Sequence, residues 1–209
     1  MYHIILASGS PRRKEIMDTM DIPYRVIVTE VKEETGETVP SKMVQALARL
    51  KSNAVLPQVK KLAEEAGQPG EQPEFIIISA DTMVFYEEHV LGKPRDEQDA
   101  ARMLQLLSDD THEVYTGVSI LILKVDGITE EWSFDVCTKV IVCSLSEKQI
   151  KEYIATGEPM DKAGAYAIQG KFGIYIREII GDYYNVVGFP IAKIYDALLE
   201  HGIDIKNLN

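Results

Sequence analysis

Two runs of the chain are apolar at nearly every position: Ile4-Ile5-Leu6-Ala7 and Phe75-Ile76-Ile77-Ile78-Ser79-Ala80. A strand sends successive side chains to opposite faces, so a run without polar alternation offers no face to water and reads as a buried strand. Segments with helical period lie between and after them. From about Ser41, Met43, Leu47, Leu50 and Ala54 fall on one face; Pro57 kinks or restarts that helix, and Gly67-Gln68-Pro69-Gly70 to Pro73 breaks it as a surface insertion. Asp96 to Leu107 carries Ala100, Met103, Leu104 and Leu107 on one helical face. Residues 23–28 read as a strand, Glu30 to Pro40 as an acidic loop, and Met83 to Tyr86 as an extended continuation ending in a turn at Glu87-Glu88-His89. The runs at about 113–124 and 131–143, joined by Asp126-Gly127, read as a hairpin. Ser10 is a natural N-cap for a helix near 11–20, with Pro11 as its first residue. Ser146 caps a short helix to Ala155, and a last helix runs from about Pro190 to His201, stopped by Gly202. This order predicts an α/β fold, a mixed twisted sheet flanked by helices, with ligand pockets at strand ends.

The length of 209 residues fits one domain, or one domain with two lobes. With 22 Lys+Arg against 33 Asp+Glu, the net charge is −11. That excludes a protein that coats nucleic acid or docks on an anionic membrane, because both need a basic face. It leaves room for a small anion in a locally basic pocket. No apolar run approaches the roughly 20 residues of a membrane-spanning helix. Met1 to Leu6 lacks the features of a signal peptide, and a cytoplasmic protein is expected. Cys137 and Cys143 lie six residues apart in one strand-like run. Such a spacing is about 20 Å, beyond disulfide reach, so core or half-buried thiols are expected. His3, His89, His112 and His201 form no metal-binding spacing, so a structural zinc site is not expected.

Four segments carry chemistry. In Ser8-Gly9-Ser10-Pro11-Arg12-Arg13, a buried strand delivers a small hydroxyl-bearing turn to a helix N-terminus. Free backbone N–H groups and the helix dipole make such a turn an anion site. Arg12, Arg13 and Lys14 sit where the dipole disfavours cations, which is explained if they hold an anion; the alternative is an ordinary capped helix with a solvated basic start. Asp81, at the end of the Phe75–Ala80 strand, is placed to bind a metal or orient a water, or simply to cap a strand end. Lys93, fixed between Gly92 and Pro94, can contact a phosphate or stand in solvent, and Lys51 reads as a helix-face lysine. Gly157 to Gly170 is a long glycine-spaced loop of the kind that is functional in compact domains. Within it Gln169 can present its amide to a base or a water. Tyr183 and Tyr184 can stack on a base or pack under the last helix.

Together ASGSPRR, SADTMV, LGKPRD, HEVYTGVSI, EPMDKAGAYAIQG and GDYYNVVGFPI, in this order from Ile4 to about Leu199, resemble the Maf family of nucleoside triphosphate pyrophosphatases, also called septum-formation inhibitors. The resemblance implies a fold like the inosine triphosphate pyrophosphatases, with residues 1–209 as one Maf-like domain of two lobes around a nucleotide cleft. It implies hydrolysis of a nucleoside triphosphate to the monophosphate and pyrophosphate. Asp81 matches the proton acceptor. Lys51, Lys93 and Glu33 match positions assigned to phosphate, water or metal contacts, with Glu33 and Asp81 as metal ligands and Mg2+ or Mn2+ as the cofactor. Ser8, Ser10, Arg12 and Arg13 match the phosphate turn. Arg12, Thr82 and Gln169 resemble the branch acting on dTTP and UTP; the 7-methyl-GTP branch typically has tryptophan for Arg12 and glutamate for Gln169. The expected partner is a small nucleotide, with no nucleic acid and no membrane, and a homodimer is a further expectation. Other readings are a 7-methyl-GTP or deaminated-purine pyrophosphatase, and a nucleotide-binding regulator of cell division. The acidic excess lies largely outside the motifs, whereas Arg12, Arg13, Lys51, Lys93 and Lys162 lie within them.

Overall fold

A computed structural model describes residues 2–66 and 73–208, so the expected break at Gly67 to Gly70 lies outside the described residues. Among the described residues, seven strands form one sheet: β1 (Tyr2–Leu6), β2 (Arg25–Val26), β3 (Glu74–Tyr86), β4 (His89–Leu91), β5 (Thr111–Leu123), β6 (Thr129–Val142) and β7 (Ile176–Ile180). Their order is β2-β1-β3-β5-β6-β7, with β4 paired to β3. β1 runs parallel to β2 and β3, with Ile4 opposite Ile76 and Leu6 opposite Ile78, while β3–β4 and β6–β7 are antiparallel. The sheet is therefore mixed, as expected. The helices are α1 (Pro11–Thr19), α2 (Pro40–Ala66), α3 (Glu97–Leu107), α4 (Glu147–Ile154), α5 (Tyr183–Val187) and α6 (Ile191–Glu200). None of the described helices is long and apolar enough to cross a membrane. The chain divides into two compact units, Met1–Asp81 with Gly117–Asp135 and Gly188–Asn209, and Thr82–Thr116 with Val136–Val187.

In the first unit, the apolar strands are covered on both faces. Ile5 and Ile77 pack with Val55, Val59 and Ala63 of α2 and with Leu121 and Leu123 of β5. Ile4, Leu6, Ile76 and Ile78, which alternation turns to the other face, are also buried. The buried side of α2 is Val44, Leu47, Ala48, Ser52, Val55, Val59 and Ala63, not the expected Met43, Leu47, Leu50 and Ala54; Leu50 is exposed. The reason is close approach. Ser79 donates from Oγ to the Ala48 carbonyl (2.6 Å), and Ser52 and Ser119 share a hydroxyl hydrogen bond (2.8 Å). Small residues and hydroxyls thus occupy the line of contact, and the larger apolar side chains that dominate the periodicity lie at its flanks. The helix also continues through Pro57, because Val55 and Val59 are both buried in the same cluster on either side of it. At Gly117 a Cβ would overlap the Val44 carbonyl group and the Gln45 nitrogen of α2, which are backbone and cannot swing aside. Gly117→Ala is expected to destabilise the protein by at least about 3 kcal/mol, read as a lowered urea midpoint at unchanged slope.

The second unit packs α3 and α4 over strands. Ala100, Met103, Leu104 and Leu107 of α3 join Ile150, Tyr153 and Ile154 of α4 against Val114, Val140 and Val142. The α3 face and the Ser146 cap are as expected, the latter a reciprocal capping box with Gln149. The strand expected over 23–28 shrinks to two residues, and β7 and α5 arise in stretches whose periodicity is too short to register. Cys143 is half-buried, but Cys137 is exposed, because β6 alternates and turns position 137 outward. His112 is buried, with Nε2 2.7 Å from the Tyr166 hydroxyl. Burial pushes the imidazole pKa down to about 4, against the opposing pull of Asp110. The neutral form is thus the folded form. The unfolded chain takes up a proton as pH falls below about 6.5 and the folded chain does not until about 4, so stability is lost across that window. Urea unfolding at pH 5 against pH 7.5 should show a loss of about 2 kcal/mol from this group, and His112→Gln should flatten that dependence.

Candidate active site

β1 hands the chain to the expected turn: the Ala7 N–H donates to the Ile78 carbonyl (2.8 Å), and α1 begins at Pro11. Ser10 occupies the N-cap position with extended dihedrals, but its hydroxyl makes no capping bond. The turn is organised around Ser8 instead. Buried Ser8 Oγ accepts the Ser10 N–H (3.3 Å) and an Arg13 N–H from Nη1 (2.9 Å). Two donors fill its lone pairs, leaving its own proton as what it can give a ligand, the polarity a phosphate oxygen requires. Arg13 also donates from Nη1 to the Ala80 carbonyl (2.8 Å) and from Nε to the Gly188 carbonyl (2.8 Å). It fastens the turn to the residue before Asp81. Burial pushes the guanidinium pKa down to about 10, partly offset by Asp81 and Glu33, so it stays charged at neutral pH. The first turn of α1 contains no acidic residue to neutralise Arg12 and Arg13.

Asp81 lies inside the long strand β3 and not at a strand end, because the extended stretch to Tyr86 belongs to the same strand. Alternation places it on the same face as Ser79, which bonds to Ala48 of α2. Lys51, three residues further along α2, reaches the same place. Its ammonium lies 2.5 Å from Asp81 Oδ1 and 2.9 Å from Glu33 Oε1. Its side chain is only 18% exposed, so it is not a solvated helix-face lysine. Asp81 is 6% exposed, whereas the Glu33 side chain is more than half exposed on its loop. The result is an ammonium held by two carboxylates next to the strand that Arg13 pins.

The second unit carries Thr82, Lys93 and Gln169. Thr82 shares a hydrogen bond with Thr116 of β5 (2.9 Å between hydroxyl oxygens). Lys93 is exposed on the loop after β4, which is tied down by the Gly164 N–H donating to the Gly92 carbonyl (3.1 Å). The glycine-spaced loop folds into short turns at Glu158–Asp161, Ala163–Ala165 and Lys171–Tyr175. Lys162 forms an ion pair with its neighbour Asp161. Exposed Gln169 lies between two pinned amides. The Ala167 N–H donates to the Tyr153 hydroxyl (3.3 Å), which donates to Glu158 Oε1 (2.8 Å), and the Lys171 N–H donates to Glu158 Oε2 (3.1 Å). A Cβ on Gly170 would overlap the Glu158 carboxylate. Gly170→Ala should therefore break this clamp and raise hydrogen exchange at the Ala167 and Lys171 amides by about tenfold or more.

The structure joins Ser8 to Arg13, and Lys51 to Asp81 and Glu33, in the first unit; the sequence named Lys51 and Glu33 as site residues only through the family resemblance and gave Lys51 no carboxylate partner. Sequence reasoning missed Thr116, Tyr153 and Glu158 as partners of site residues, since their bonds cross between elements and leave no local period. No group of three or more His, Cys, Asp or Glu side chains able to hold a metal occurs among the described residues. Two carboxylates already gathered on one cation nevertheless fit a hard divalent ion of the Mg2+ type, which commonly takes one or two carboxylates and fills its shell with water and substrate phosphate.

These features define an α/β protein whose N-terminal turn suits a phosphate group and whose neighbouring cluster joins an ammonium to a buried carboxylate. Residues 3–201 match the family described as Maf-like protein, and the chain belongs to the Maf family. It is 45% identical over 205 residues to a protein of Lachnoclostridium phytofermentans named dTTP/UTP pyrophosphatase, covering 98% of each chain. A protein of the same name from Bacillus cereus is 46% identical over 208 residues, covering 99% of this chain and all of that one. Among solved structures, a HAM1 protein from Coxiella burnetii is similar with a TM-score of 0.46 at 13% identity, over 96% of this chain and 100% of that chain.

Proposed function

We propose that this chain is a nucleoside triphosphate pyrophosphatase that hydrolyses dTTP and UTP, modified pyrimidine nucleotides included, to the nucleoside monophosphate and pyrophosphate. The observation that carries the reading is the Lys51 ammonium held between Glu33 and the buried Asp81, beside the Ser8 turn. It joins a base to a cation where a phosphate can bind, and the relatives named dTTP/UTP pyrophosphatase over nearly the whole chain support the substrate.

In this reading Ser8, Ser10, Arg12 and the N-terminus of α1 hold the phosphates, and Arg13 supports them by fixing Ser8 and Ala80. Asp81 accepts a proton from the attacking water as its oxygen bonds to the α-phosphorus. The bond to the bridging oxygen breaks, and pyrophosphate leaves with the electron pair. Lys51 and Lys93 stabilise the charge that grows on the phosphate oxygens. Mg2+ or Mn2+, held by Glu33 and Asp81, supplies further neutralisation of the phosphates when bound. Arg12, Thr82 and Gln169 select the base. The setting is the cytoplasm, where nucleoside triphosphates are made and consumed. The double substitution Arg12→Trp with Gln169→Glu tests the base assignment. The ratio of kcat/KM for UTP over 7-methyl-GTP should fall about a hundredfold; an unchanged ratio in a folded variant would remove these residues from selection.

A further inference from the structure

Glu158 holds both ends of the turn that carries Gln169. The Gly170 N–H donates to the Ala167 carbonyl (3.1 Å), closing a turn with Ile168 and Gln169 at its corners. The amides that flank this turn converge on one carboxylate. The Lys171 N–H donates to Glu158 Oε2 (3.1 Å), and the Ala167 N–H reaches Oε1 through the Tyr153 hydroxyl, which accepts at 3.3 Å and donates at 2.8 Å. Each direction is fixed by chemistry, since a backbone N–H only donates and a carboxylate only accepts. Burial and the bond to Glu158 push the Tyr153 phenol up, so it keeps the proton it donates. Glu158 is itself anchored to the end of α4, where its N–H donates to Thr156 Oγ1 (3.2 Å) and the Thr156 hydroxyl donates to the Tyr153 carbonyl (2.7 Å). Tyr153 is buried, with its ring centroid 5.0 Å from that of the fully buried Phe172. Gln169 is exposed, so its backbone, and not packing around its side chain, sets where it stands.

We infer that Glu158 and Tyr153 are positioning residues for base selection: they fix the turn at Gln169 and act on the base only through it. The inference rests on the reading of Gln169 as a base contact. A side chain on a fixed backbone bonds its base with little further ordering cost. A loosened turn brings that cost back, and it falls on the base that Gln169 bonds and not on one that it does not. Only a carboxylate can hold both flanks. An amide at position 158 would set its NH2 against the Lys171 N–H, donor to donor, or against the Tyr153 hydroxyl, whose proton would then lose its acceptor.

The test is a cycle of Tyr153→Phe and Gln169→Ala, read as the ratio of kcat/KM for UTP over 7-methyl-GTP. Tyr153→Phe keeps the buried ring and removes only the hydroxyl, and the ratio should fall about tenfold. Gln169→Ala should lower it about tenfold or more, and the double variant should match Gln169→Ala within about twofold. Glu158→Gln should act as Tyr153→Phe does. A merely structural defect lowers both substrates alike and leaves the ratio where it was. An unchanged ratio in folded Tyr153→Phe, or a further fall of about tenfold on adding it to Gln169→Ala, would overturn the positioning role and leave the pyrophosphatase reading standing. A Gln169→Ala variant with the wild-type ratio would remove Gln169 from base selection, and the inference with it. A wild-type protein that releases pyrophosphate from neither UTP nor dTTP would overturn the proposed function itself. If Tyr153→Phe does not fold, Glu158→Gln, which keeps the shape of a half-buried side chain, carries the same cycle with the same outcomes.

Discussion

Asp81→Asn is expected to lower pyrophosphate release from UTP and dTTP by about a thousandfold or more while leaving the fold intact. The carboxamide has the shape of the carboxylate, and its oxygen still accepts from Lys51 at the position Asp81 Oδ1 holds, 2.5 Å from the ammonium. Lys51 also keeps Glu33 at 2.9 Å, so the ammonium is not left uncompensated. The variant loses its basicity and one charge. A urea midpoint close to wild type together with lost turnover separates chemistry from folding. A well-folded variant that kept most of its activity would place the base elsewhere.

Lys51→Met makes the opposite change and should be severe in both respects. It leaves the Asp81 carboxylate, 6% exposed, without its ammonium. Removing one partner of a buried pair typically costs about 3–5 kcal/mol, and the partial exposure of Lys51 puts this case near 3 kcal/mol. The double variant Lys51→Met with Asp81→Asn should recover most of that loss, because the stranded charge is then gone. Glu33→Gln, on a side chain more than half exposed, should change stability by less than about 1 kcal/mol. These three unfolding measurements distinguish a carboxylate that is costly to strand from one that water already serves.

The parts of this molecule that were legible in its sequence are those determined locally. The unbroken apolar runs of β1 and β3, the face of α3, the Asp126-Gly127 hairpin and the Ser146 cap each depend on a few neighbouring residues. The turn from β1 into a helix that opens at Pro11 was legible for the same reason. Its wiring was not: Arg13 reaches the carbonyl of Gly188, 175 residues away. The buried face of α2 was misread because Ala48 and Ser52 contact the sheet, and hydropathy gives such residues little weight. Lys51 looked solvated for the same reason, since its carboxylate partners come from a loop and from another strand. The contacts of Thr116 with the Thr82 hydroxyl and the Asn185 carbonyl join two strands and α5, and nothing in the spacing of those residues announces them.

The central claim is the bond that is cut and the base that is chosen, and one panel measures both. The wild-type protein is given dTTP, UTP, CTP, inosine triphosphate and 7-methyl-GTP with Mg2+ or Mn2+, and products are scored as pyrophosphate or orthophosphate. Pyrophosphate and the monophosphate should form from dTTP and UTP with kcat/KM about tenfold or more above the other nucleotides. Release of orthophosphate in place of pyrophosphate, or a preference for 7-methyl-GTP or inosine triphosphate, would contradict it.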